Sequence, residues 1–223
     1  MNQQDHAMNE ELTNIKALGG ESRDNCQKRM KKHKTEPDTC KQKTKWWDFI
    51  IADKSRQTPR ITSFVPKAID KIPEGEKLDP GIHATIQLPN SLVRSYSIIS
   101  GTPNAFQLGI ILDKQGRGGS RYLHAPTSVG DVIEVGAFSE PISIAKALSN
   151  HFFIVGGINI TIFLPLFGDY CDVHYNFEVH YAVRSADEIP FRDHLDPSKD
   201  YIRFYSRSLG QRMNVGDVLG SLT

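Results

Sequence analysis

From Trp46 to Val135 the chain is a succession of short β-patterned runs closed off by turn residues, and that rhythm leaves it few folds to choose from. Trp46 to Ala52 and Arg60 to Val65 read as a strand pair around a Ser55-to-Pro59 turn. Runs at His83 to Leu88, Ser95 to Ser100, Phe106 to Leu112 and Val132 to Val135 follow, with a short helix expected near Ser120 to His124. Short strands with turn signals at regular intervals predict a small antiparallel barrel. After about Leu148 the texture changes to strand (Phe152 to Val155), glycine turn (Gly156-Gly157), helix (Thr161 to Tyr170) and strand (Phe177 to Val183), with a last strand at Tyr201 to Tyr205. A βαβ pattern implies a parallel sheet that receives ligands at the carboxyl ends of its strands. The fold class is therefore β plus α/β: a six-stranded antiparallel barrel, then an incomplete parallel-sheet domain, divided between residues 139 and 150.

Composition removes several alternatives. Hydrophobic residues make up 39% and charged residues 24% of the 223, the balance of a globular chain. A net charge of +1 gives no global grip on nucleic acid or on a membrane surface. The longest apolar run, Phe152 to Phe167, is interrupted by a glycine pair, Asn159 and Pro165, and reads as strand turning into helix. No secretory signal is read at the N-terminus, and three scattered cysteines (Cys26, Cys40, Cys171) make no disulfide framework, so a cytoplasmic location is expected. Neither these thiols nor the histidines, His174 and His180 included, show metal-ligand spacing, and no metal is expected. Residues 1 to 44 are polar, basic from Lys28 to Lys45, and too poor in apolar residues to form a core; a solvated tail is expected, with a polyanion-binding arm as the rival.

Three motifs carry the chemistry. In Arg94-Ser95-Tyr96-Ser97, strand alternation sends Arg94 and Tyr96 to one face and Ser95 and Ser97 to the other. A permanently charged fork beside an aromatic face suits a ligand with a phosphate and a planar ring. Gly116-Arg117-Gly118-Gly119-Ser120 leads into the short helix; glycines let backbone N–H groups approach an anion, and the Ser120 hydroxyl adds a donor. The string lacks the lysine of a triphosphate loop, so phosphoryl transfer is a poor reading. Gly156-Gly157-Ile158-Asn159-Ile160-Thr161 stands where strand gives way to helix, the position for a nicotinamide dinucleotide.

Motifs of this kind in this order resemble the ferredoxin-reductase-type flavoproteins, and among them the phthalate dioxygenase reductase and vanillate demethylase reductase group, over roughly Trp46 to Val215. The resemblance implies a flavin-binding barrel at 45 to 145 and an NAD(P)-binding domain at 146 to 223. It implies that Arg94 holds the flavin phosphate, Tyr96 lies against the isoalloxazine ring, and Ser97 places its hydroxyl near flavin N5; one cradle for one phosphate then favours FMN, with FAD possible. Thr161 would stand at the junction of flavin and nicotinamide, and Arg184 and Ser185 near the adenosine ribose or its phosphate. The expected function is hydride transfer from NAD(P)H to bound flavin, followed by electron transfer to a separate acceptor. Asn159 departs from the family's Gly-Gly-Ile-Gly-Ile-Thr. The family's later Cys-Gly-Pro segment is not found, and three cysteines cannot supply a four-thiolate iron–sulfur cluster. The alternative is thus a truncated, non-catalytic flavin-binding or interaction protein.

Overall fold

The computed structural model describes residues 45–73, 78–89, 91–143, 150–172, 176–195 and 201–220. The expected tail, Cys26, Cys40, His174 and much of the expected domain boundary lie outside them. The unit from Thr44 to Thr223 contains both sheets. Six strands come first: β1 (Trp47–Arg56), β2 (Ile61–Ala68), β3 (His83–Gln87), β4 (Val93–Thr102), β5 (Ala105–Ile111) and β6 (Val132–Phe138). They close into an antiparallel barrel in the order β1-β2-β5-β4-β3-β6. Closure needs strands to bend, and register shifts between Ile51 and Asp53, Ala84 and Ile86, and Ile98 and Ser100 mark the bends. Pro66 has no N–H to donate. It sits where the β2–β5 pairing skips from Phe64–Leu108 to Lys67–Ala105.

Alternation fills the barrel. Phe49, Ile51, Phe64, Ala84, Ile86, Phe106, Leu108, Ile110, Ile133 and Val135 are all buried inside it. The helix α1 (Gly119–His124) joins β5 to β6 and sends the buried Leu123 into the same core. Removing one such aliphatic side chain from water contributes about 1.5–3 kcal/mol. Six residues of helix are therefore held by their packing, not by helix propensity.

Strands β7 (Asn150–Gly156), β8 (Asn176–Val183) and β9 (Ile202–Ser206) form a parallel sheet in that order. The helix expected from Thr161 to Tyr170 is broken in two. A 3₁₀ turn spans Gly157–Ile162 and α2 spans Leu164–Asp172, with Phe163 between them. Pro165 explains the break, since a proline fits the first turn of a helix and not its interior. A further helix, α3 (Val215–Gly220), was not legible in the sequence. The second core joins Phe153, Val155, Ile160, Phe167, Val179 and Tyr181 to Ile61 and Ile99 from the barrel wall, so sheet and barrel share a hydrophobic seam.

Candidate functional site

Strand β4 pairs with β3 as Arg94↔Ile86, Tyr96↔Ala84, Ser95↔Thr85 and His83↔Ser97. Directly opposed residues share a face, so Arg94 and Tyr96 stand with the buried Ile86 and Ala84, and the two serines stand on the other face. Tyr96 packs on the barrel core, and burial pushes its phenol up to about 12, against the opposing pull of Arg94. Ser95 Oγ lies 3.4 Å from Thr85 Oγ1, and Ser97 Oγ lies 3.1 Å from His83 Nε2. The hydroxyl expected near a flavin ring is thus positioned by a histidine that the sequence did not single out.

Arg94 meets the glycine loop. A Cβ on Gly119 would lie 3.1 Å from Arg94 Cγ and 3.2 Å from its Nε, so any side chain there would make the guanidinium stem give way by a few tenths of an ångström. Gly118, with φ of +97°, makes the left-handed turn into α1. Arg94 Nη1 donates to the Val93 carbonyl at 2.7 Å, whereas Nη2 is buried and has no partner. A buried guanidinium nitrogen left unpaired is costly, and an anion at this position would satisfy it. Ser120 is used differently from expectation: its Oγ accepts the Asp113 N–H at 3.0 Å and so shapes the loop. Arg117 is exposed, and Gly116 crowds Asp113, whose Oδ2 would lie 2.5 Å from a Cβ at that position.

The second half of the site is a cleft of about 450 Å³ at the carboxyl ends of β7 and β8. Gly156, Gly157 and Arg184 line it, with Tyr205, Arg207 and Arg212 from the segment around and after β9. A Cβ on Gly156 or Gly157 would meet nothing within 4 Å, and Gly157 adopts φ of +55° while its carbonyl accepts the Tyr181 hydroxyl at 2.8 Å. Arg60 also lines the cleft, bound in a fork to Glu188: Nε donates to Oε1 at 2.9 Å and Nη2 to Oε2. That fork holds the Glu188 carboxyl below its ordinary range.

Two expected residues lie elsewhere. Thr161 is buried, its hydroxyl donates to the Ile158 carbonyl at 2.9 Å, and its methyl stands 3.0 Å from where a Cβ on Gly109 would be; it belongs to the seam between barrel and sheet. Ser185 does not line the cleft; its side chain hydrogen-bonds Asp187. Sequence reasoning missed Arg60, Glu188, Tyr205, Arg207 and Arg212. The Arg60–Glu188 pair spans 128 positions, and only the folded chain brings it together. His180, for which a structural role was expected, is buried between Tyr205 Oη at 2.8 Å and Glu178 Oε2 at 3.2 Å. Among the described residues no group of His, Cys, Asp and Glu could hold a metal ion, and no helix is long and apolar enough to cross a membrane.

No family model matches the chain. It is 40% identical over 131 residues to a protein described as a reductase from Gibberella moniliformis, covering 56% of this chain and 23% of that one. It is 28% identical over 149 residues to the carnitine monooxygenase reductase subunit of Escherichia coli, covering 64% and 46%. Its fold matches phthalate dioxygenase reductase with a TM-score of 0.61 at 24% identity, over 78% of this chain and 64% of that structure. In fold and in the order of its motifs the chain is similar to the ferredoxin-reductase-type flavoproteins, the phthalate dioxygenase reductase and vanillate demethylase reductase group among them. It spans between about a quarter and a half of the length of the two curated relatives above.

The relatives and the fold correct the cofactor expected from sequence. FMN was favoured because a single phosphate cradle is visible; the relatives and the fold point instead to an FAD-binding domain of the ferredoxin-reductase type. A structure with the same barrel and sheet is described as the FAD/NAD binding domain of a nitric oxide dioxygenase from Vibrio cholerae, with a TM-score of 0.59, 19% identity, and 77% of this chain and 81% of that one covered. The physical reason is plain. FAD carries a phosphate in the same place beside the flavin as FMN does, so one anion site does not separate the two.

Proposed function

We propose that this chain is a flavin-dependent oxidoreductase that accepts hydride from NAD(P)H at a bound FAD and passes the electrons to a separate acceptor. The observation that carries the reading is the buried, unpartnered Nη2 of Arg94, whose stem runs against Gly119 of the glycine loop. The residues present fit the cofactor. Arg94 would bind the flavin phosphate together with the Gly116–Ser120 backbone, and Tyr96 would offer a ring edge beside it. Ser97, oriented by His83, would hold a hydrogen bond at the flavin ring, and Ser95 would complete that wall. Bound FAD supplies the redox chemistry; the chain supplies orientation and charge.

Nicotinamide nucleotide would lie across Gly156 and Gly157 with its adenosine end toward Arg184, the arrangement expected at the strand ends of a parallel sheet. Residues 45–145 then serve as the flavin domain and 146–223 as the nucleotide domain. Thr161 would act by fixing the seam between them, since its hydroxyl is already committed to its own turn. The test is anaerobic stopped-flow mixing of the FAD-loaded chain with NADH and with NADPH, after the flavin has been identified by mass. Bleaching of the visible flavin band by either nucleotide is expected. A yellow protein that neither nucleotide bleaches would make it a flavin-binding protein without this activity.

A further inference from the structure

The C-terminal end of α1 borders another cleft, of about 560 Å³, which the reductase reading does not use. Its lining includes Lys54 and Arg56 from β1, Lys114 from the loop after β5, and Arg121 and His124 from α1, and it includes no carboxylate. These cations are held by neutral oxygens. Lys54 Nζ donates to the carbonyls of His124 at 2.9 Å and Thr127 at 2.5 Å, and its ammonium lies 5.5 Å from the Phe64 ring centre. Arg56 donates to the carbonyls of Thr58 at 3.2 Å and Pro59 at 3.1 Å, and Arg121 Nη2 lies 3.5 Å from the Gly116 carbonyl. The His124 ring is fixed between Ile110 O at 2.8 Å and Thr62 Oγ1 at 3.3 Å.

A carbonyl orients a cation without cancelling its charge, and among the described residues none of the five takes part in an ion pair. The carboxylate that acts on Lys54 is Asp131, whose Oδ2 is occupied by the Ser128 N–H at 2.7 Å. Lysine has three donors and arginine five, so most of the donor capacity here is unspent. Four permanent positive charges share one recess and repel one another until an anion enters. The recess is of small-ligand size, which favours a compact ligand over the broad face of a protein.

We propose that this cleft binds a diphosphate-class oxyanion. The assignment goes beyond the reductase reading and stands without it. Arg121 ties the cleft to the glycine loop through Gly116, but neither Arg94 nor Gly119 lines it, so its occupant is a free ligand and not the diphosphate arm of a dinucleotide held at the Arg94 cradle.

The experiment is calorimetric titration of the full chain with inorganic pyrophosphate, in FAD-free and FAD-loaded forms, with the His124 imidazole followed by NMR. In the FAD-loaded form, where the Arg94 cradle is filled, binding at one site is expected, weakened about tenfold or more by Arg56→Glu with Lys114→Glu, since each reversal replaces an attraction with a repulsion. Lys114→Glu alone, at an exposed loop position, is expected to weaken it about threefold and serves if the double variant is unstable. Burial and the Lys54 charge hold His124 below its ordinary range, so a bound anion must raise its titration midpoint. Binding to both forms is expected, and binding to the FAD-free form alone would place the pyrophosphate in the Arg94 cradle and overturn the proposal. No binding in either form, or binding that the charge reversals leave unchanged, overturns the proposal. So does a polyglutamate peptide that occupies the cleft more tightly than pyrophosphate.

Discussion

Gly119 is where the account is narrowest. The Arg94 stem passes so close that any side chain at 119 must push the guanidinium aside. Gly119→Val is expected to keep the barrel folded while weakening FAD retention about tenfold or more, a loss of the size of one charge-assisted hydrogen bond. Equilibrium dialysis against FAD, with circular dichroism as the fold control, measures both. Ser97 separates binding from chemistry. Ser97→Ala leaves Arg94 and the glycine loop intact, so the nucleotide-driven reduction rate is expected to fall more than FAD affinity does. Stopped-flow traces at saturating nucleotide give the first quantity and dialysis the second. Equal losses in both would assign the His83–Ser97 pair to structure alone.

At the scale of elements, strand alternation made the barrel legible. The six barrel strands stand where the runs between Trp46 and Val135 put them, most of them longer than expected. Arg94 was expected just before β4 and lies inside it, since Val93 and Arg94 already pair with Gln87 and Ile86. What could not be read was tertiary. Nothing local marks Gly109, yet a Cβ there would lie 2.7 Å from Phe191 Cε2 and 3.0 Å from Thr161 Cγ2, because the segments that follow β7 and β8 both pack on β5 at that point. Gly109→Ala is expected to destabilise the chain by about 1–3 kcal/mol, read as a lower midpoint in urea. The Arg60–Glu188 fork was equally hidden, being long-range. The Glu188 carboxyl is depressed mainly by its hydrogen bond to Arg60, so its stabilising contribution is complete above the ordinary glutamate pKa of about 4.3. It is lost as pH falls through the lower folded value. Glu188→Gln should therefore flatten the acid limb of a melting-temperature profile; an unchanged acid limb would show that the fork contributes nothing to stability.

For the molecule as a whole, the Arg94 cradle lies on the barrel and the arginine-rich cleft at the strand ends of the sheet, while barrel and sheet share one hydrophobic seam. The motif order in the sequence pointed to both places but not to the choice of flavin, because one anion cradle is blind to what lies beyond the first phosphate. The central claim is that this cradle holds the flavin phosphate. The measurement that reaches it most directly is FAD bound per chain after reconstitution, compared between the unaltered protein and Arg94→Ala at equal fold content by circular dichroism. Stoichiometric FAD in the first and a loss of about a hundredfold in affinity in the second are expected, the size of a forked ion pair removed from a part-buried site. Full FAD occupancy in Arg94→Ala would contradict the assignment.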